Sequence, residues 1–196
     1  MTNDSIVATI KSSPVRVLTG DVAMWFLVLA ELTVFAILFI CFAVARAFNQ
    51  PLFVEGQAQL HPTLGLINTL ALIFSSFWLA LAINYYRQQQ VRSTQITLVL
   101  SILCAVVYMV VKYHEYQLLW QAGFSVTTNT FFTLYFFITL FHYLHVIAGV
   151  LLIIYLFTKA TTATTHSNLY ESIGVYWHAV DIIWIILFPI LYVISQ

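Results

Sequence analysis

Glu31 is the only acidic residue between Val22 and Ala45, in a stretch that is otherwise almost wholly apolar. It lies about nine residues into that stretch, roughly 14 Å at the rise of an α-helix and so near the middle of a bilayer. Two readings of it are open. It is either a carboxyl that hydrogen-bonds between helices in its neutral form, or a proton relay or a gate beside one. His142 and His145 are three residues apart, as are His178 and Asp181, so each pair projects from one helical face. A carboxylate beside an imidazole orients the ring. These four side chains together suit a staple between two helices, a metal or haem site, or a proton-handling site. Glu115 follows Lys112 by three residues near the end of another apolar stretch, where a solvated or interfacial ion pair is expected. With Glu31 and Asp181, Glu115 makes up the set of carboxyls that could take part in proton traffic. Glu171 stands near the start of the last apolar stretch, at the positive end of its helix dipole, and joins the histidines as a helix-contact residue. Trp25, Trp120 and Trp177 fall toward helix ends, where indole rings favour the membrane interface. Trp25 and Trp177 are the candidate lipid or interface contacts. No residue is expected to be catalytic, and none to bind metal.

The elements that must position these groups follow from composition. Of 196 residues, 62% are hydrophobic and only 7% are charged, against about 25% charged in a soluble domain. The net charge of zero argues against a basic nucleic-acid footprint. Cys41 and Cys104 both lie in apolar runs without close spacing, which suggests small core residues. The first apolar run is longer than a signal-peptide core, so no cleaved leader is expected. Spanning a bilayer takes roughly 20 apolar residues per helix, and five segments qualify: about 22–48, 63–86, 93–120, 127–158 and 169–194. These long runs are unlike the short alternating segments of a membrane β-barrel. The expected fold is therefore all-α and polytopic, with a cytoplasmic tail over 1–21 and a five-helix transmembrane bundle over 22–196. Pro51 and Pro62 bracket the first loop, Gly123 closes the third helix, and Pro189 lies near the end of the fifth.

Several stretches taken in order resemble subunit III of the haem-copper (cytochrome c or quinol) oxidases. They are Met24-Trp-Phe-Leu-Val-Leu-Ala-Glu31, His61-Pro-Thr-Leu-Gly-Leu-Ile-Asn68-Thr69 with Ser75-Ser76, and Glu115-Tyr116. They continue with Phe131-Phe132, His142-Tyr-Leu-His145-Val-Ile-Ala-Gly149, and Tyr176-Trp177-His178-Ala-Val-Asp181-Ile-Ile-Trp184 with Glu171. The resemblance implies a five-helix, subunit III-like bundle without the two extra N-terminal helices of longer members. It implies a non-catalytic subunit of a respiratory oxidase in the aerobic electron transport chain, with no cofactor of its own. Haem and copper would lie in the partner, catalytic subunit I. Phospholipid would bind in a cleft, and the subunit would support proton uptake during oxygen reduction. Glu31 corresponds to the family's carbodiimide-reactive carboxyl. Phe141 and Tyr143 flank His142 where the family usually has small residues. The sequence is also similar to the NorE-type accessory proteins associated with nitric oxide reductase. A haem or metal enzyme built on the buried histidines is the alternative of another class.

Orientation follows from the basic residues. Lys11, Arg16, Arg87, Arg92 and Lys159 fall on one side if the spans alternate, whereas Arg46 falls on the other. The expected location is the bacterial inner (cytoplasmic) membrane, with the N-terminus cytoplasmic and the C-terminus exterior. Reporter fusions after Gln196 should register as exterior; a cytoplasmic signal there would mean an odd helix gained or lost.

Overall fold

The computed structural model describes residues 22–160 and 167–194. The expected tail over 1–21, with Lys11 and Arg16, lies outside them. Among the described residues six helices follow in order: α1 Val22–Phe48, α2 Gln50–Ala58, α3 Pro62–Arg87, α4 Val91–Gln121, α5 Thr130–Lys159 and α6 Ser167–Tyr192. Five of them are long and apolar enough to cross a membrane. No strand occurs among the described residues.

Local chemistry sets several helix boundaries. Pro62 opens α3 in its first turn, where its missing N–H costs nothing. The Asn129 side chain accepts a hydrogen bond from the Phe132 N–H at 3.0 Å and caps α5. Gly123, at φ +87°, ends α4. Its N–H reaches the Trp120 carbonyl, and the Phe124 N–H reaches that of Leu119, the paired bonds of a left-handed C-terminal cap. Gln89, at φ 60°, makes the same cap after α3 without the freedom of glycine.

The segment after Phe48 is not the plain loop expected between the two prolines. Pro51 falls at the first turn of α2, and tertiary packing stabilises this short helix. Phe53 is buried edge-on against Phe42 and Phe131. A side chain at Gly56 would collide with the Phe131 ring. Gln57 then donates from Nε2 to the carbonyls of Ile190 and Leu191, both at 3.0 Å. Those carbonyls belong to the last turns of α6, just past Pro189. Arg46 of α1 donates to the Ile194 carbonyl at 3.0 Å. Two side chains thus satisfy the orphan carbonyls of a helix end.

α3 and α4 form the closest helix pair. Leu72, Ser75, Leu79 and Ala82 face Thr94, Leu98, Ser101 and Ala105, with buried residues alternating at three and four along both helices. This is the spacing of an antiparallel coiled-coil seam, and its small residues let the backbones approach. Ser75 and Ser101 exchange hydrogen bonds to each other's carbonyls at 2.8 and 2.9 Å. α6 is the central helix, packed against α1, α3 and α5. α1 packs on α2, α5 and α6 and leaves Phe26, Leu29, Ile37 and Ile40 exposed. Cys41 is on this open side, not in the core as the sequence suggested; Cys104 is partly buried.

α5 and α6 meet where Gly149 lies under Trp177. A Cβ on Gly149 would sit 2.5 Å from Trp177 Cε3. Gly149→Ala should therefore cost about 1–3 kcal/mol through overpacking, read as a lower thermal midpoint in detergent. An unchanged midpoint would mean that the indole moves freely.

Candidate functional site

Among the described residues two acid–base pairs join the long helices away from their ends, and the structure treats them differently. The first is Lys112 with Glu115 on α4. The sequence suggested a solvated or interfacial pair, but both side chains are 0% exposed. Their positions explain this: with Leu98, Ser101, Ala105 and Tyr108 they continue the three-and-four stripe of α4. Lys112 Nζ donates to Glu115 Oε2 at 2.9 Å, to the Tyr135 hydroxyl of α5 at 3.0 Å and to the Tyr192 hydroxyl of α6 at 2.9 Å. An ammonium has three N–H groups, and all three are used. The Tyr192 hydroxyl in turn donates to Glu115 Oε1 at 2.7 Å. The rings of Tyr116, Tyr135, Trp184 and Tyr192 surround the ammonium at 4.8 to 5.6 Å, within the range of cation–π attraction. One cation thus ties α4, α5 and α6 together. Lys112 and its two tyrosines were missed as site residues; the stripe spacing was the signal that could have found them.

The second pair joins α1 to α5. His145 Nε2 lies 2.8 Å from Glu31 Oε2, and His145 Nδ1 lies 2.7 Å from the Phe141 carbonyl one turn back. A carbonyl oxygen only accepts, so Nδ1 carries a proton and donates it. The contact between Nε2 and Oε2 then needs one further proton, held either on the imidazole or on the carboxyl. Both arrangements have the same net charge, zero, and they differ only in where that proton sits. Tyr176 of α6 braces the site by donating its hydroxyl to the His145 carbonyl at 3.2 Å. The Phe35 and Phe141 rings flank the imidazole at 5.6 and 4.6 Å. The bulky Phe141 beside His142 is accommodated because it packs against Phe35 at 5.1 Å.

The expected α5–α6 contact among His142, His145, His178 and Asp181 is not what forms. His145 turns to Glu31 on α1 instead. His142 is fully buried among aromatic rings, and neither ring nitrogen has a hydrogen-bond partner. His178 is partly buried. Asp181 sits beside Ser76 of α3, with Oδ1 unpaired. The i,i+3 spacing holds on each helix, but the two faces point at different neighbours. Nor is Glu31 deeply buried: its side chain is 27% exposed, and among the described residues α1 is the least buried of the five long helices. It opens onto a cleft of about 360 Å³ lined by Leu27, Phe141, Leu144, Ala148 and Tyr176. Glu171, grouped with the histidines from the sequence, pairs with Arg87 at the end of α3 at 2.6 Å. Trp177 is 1% exposed and packs inside the bundle, so it is no interface residue. Trp25 is partly buried. Among the described residues, no three His, Cys, Asp or Glu side chains gather into a group that could hold a metal ion.

Breaking the inner pair on one side leaves a buried charge uncompensated. Lys112→Met should cost about 3–5 kcal/mol, and Lys112→Met with Glu115→Gln should recover most of that loss. Thermal unfolding in detergent reads both. A double variant as unstable as the single would show that packing, not charge, holds the site.

The order and geometry of these groups can be set beside known proteins. Residues 15–196 match the family model described as cytochrome c oxidase subunit III. The chain is 32% identical over 175 residues to cytochrome c oxidase subunit 3 of Thermostichus vulcanus, covering 86% of this chain and 84% of that one. It is 23% identical to cytochrome bo(3) ubiquinol oxidase subunit 3 of Buchnera aphidicola subsp. Acyrthosiphon pisum, covering 86% and 83%. It is 29% identical to the heme-copper oxidase subunit I+III of Aeropyrum pernix, where the match covers 88% of this chain but only 22% of that much longer protein. With five membrane-spanning helices and a family match across nearly its whole length, the chain is a multi-pass membrane protein that belongs to the cytochrome c oxidase subunit III family.

Proposed function

We propose that this chain is the non-catalytic third subunit of a respiratory haem-copper oxidase, packed against the catalytic subunit I and supporting proton uptake while oxygen is reduced to water. The observation that carries the reading is the Glu31–His145 pair. It holds one proton in a charge-neutral unit, which suits a group that must sit at membrane depth and still exchange a proton. Glu31 is the open member of the pair, on a cleft whose walls are mostly apolar. An acyl chain of a phospholipid fits such a wall, and the shared proton can move between Glu31 and His145 without changing the net charge of the pair, so that uptake of a second proton at Glu31 has to be matched by release of one from His145. Haem and copper belong to subunit I in this reading. The Aeropyrum relative, whose name joins subunits I and III, supports that partnership. The names of the other relatives include both a cytochrome c oxidase and a ubiquinol oxidase, so either donor is compatible. The proposed setting is the bacterial inner membrane, N-terminus inside.

Glu31→Gln tests the role of the pair. A glutamine amide can donate to His145 Nε2 and keep the contact, but it cannot hold the extra proton. The variant complex should assemble with an unchanged haem spectrum and lose activity after fewer turnovers than the parent. Equal durability would remove Glu31 from proton uptake. Mass spectrometry of the complex drawn from mild detergent should find an oxygen-reducing subunit I. Finding a nitric oxide reductase instead would move the chain to the NorE-type branch.

A further inference from the structure

The centre of the bundle contains polar atoms that its own side chains do not satisfy. His142 of α5, Asn68 of α3 and Tyr108 of α4 are all 0% exposed. Both ring nitrogens of His142, both amide atoms of Asn68 and the Tyr108 hydroxyl lack hydrogen-bond partners. These residues share one neighbourhood. The His142 ring lies 5.9 Å from the Tyr108 ring and 5.2 Å from Trp184, and Tyr108 lies 5.1 Å from Trp184. Trp184 Nε1 donates to Thr69 Oγ1, next to Asn68 in the chain, at 3.1 Å. The serine exchange between Ser75 and Ser101 fixes the register of α3 against α4. Two helical turns from that exchange, back along α3 and forward along α4, lead to Asn68 and Tyr108, which places both at one level of the seam.

Two nearby donors, Lys112 and Trp184, are already committed. All three N–H groups of Lys112 go to Glu115, Tyr135 and Tyr192, and the Trp184 N–H goes to Thr69. A buried polar group left unpaired costs about 1–3 kcal/mol, and more than nine-tenths of buried backbone and most side-chain polar atoms in folded proteins find a partner. A neutral imidazole, an amide and a phenol each present both a donor and an acceptor. One molecule with two donors and two acceptors can serve all three, and buried water typically makes about three such bonds. We propose that ordered water is bound between His142, Asn68 and Tyr108 as a structural ligand of this subunit. It sits one helical turn from each polar pair: His142 is three residues from His145, and Tyr108 is four from Lys112. The proposal does not depend on Glu31 and His145 sharing a proton in turnover.

The test is a map of the intact oxidase complex at a resolution that shows ordered water at the exposed Arg87–Glu171 pair. Density for water within hydrogen-bonding distance of all three side chains is expected. No density there, with water visible at the control site, would overturn the proposal. Thermal stability of the complex gives a second reading through its sign. If water bridges these groups, Tyr108→Phe removes a made bond and lowers the midpoint by roughly 3 °C. Asn68→Leu then adds less than its own separate loss, because both act on one shared bridge. If the hydroxyl is dry and unpaired, Tyr108→Phe raises the midpoint, and the proposal fails.

Discussion

The buried ammonium of Lys112 is the interaction on which the arrangement of α4, α5 and α6 depends. A bare cation in an apolar bundle costs several kcal/mol, and its attraction to one carboxylate offsets this only if every remaining donor is satisfied. Lys112 meets that condition by drawing one tyrosine from α5 and one from α6, Tyr135 and Tyr192. The geometry is therefore coupled: sliding α6 along α5 by one turn would remove Tyr192 from both the lysine and Glu115. The short helix α2 reinforces the same end of α6, because Gln57 holds the carbonyls just beyond Pro189. A proline-containing helix end is thus fixed by side chains from α1, α2 and α4.

Glu31 and His145 follow the same rule in a looser setting. They too are an acid and a base held together, but among the described residues α1 is the least buried of the five long helices. The pair is consequently reachable from the cleft, whereas Lys112 and Glu115 are sealed. The sealed pair ties three helices together, while the reachable one opens onto the cleft. Each pair stays neutral as a unit, which is what permits acidic and basic groups at this depth.

The five long helices were legible because spanning a bilayer demands long apolar runs. Proline at the first turn of α3 and glycine at the end of α4 marked boundaries that the structure keeps. α2 was not legible, since nine residues with a proline near the start read as a loop until Phe53 is seen between Phe42 and Phe131. Lys112 and Glu115 were read as interfacial from their position near a helix end, although their place in the buried stripe of α4 pointed inward. Trp177 was misplaced for the same reason: distance from a helix end does not say which face meets Gly149.

Sequence alone determined that the chain spans a membrane, where its five long helices run, and which polar residues lie within them. Spacing along one helix is local, so it also showed that His142 and His145, or His178 and Asp181, share a face. It did not determine which helix each face meets, because that depends on how helices far apart in the chain pack. Only the tertiary structure brought Glu31 to His145 across 114 positions and Tyr192 to Lys112 across 80. The helices are secured locally by their backbone hydrogen bonds, whereas the pairing of their polar side chains is settled by which packing leaves the fewest charges unanswered.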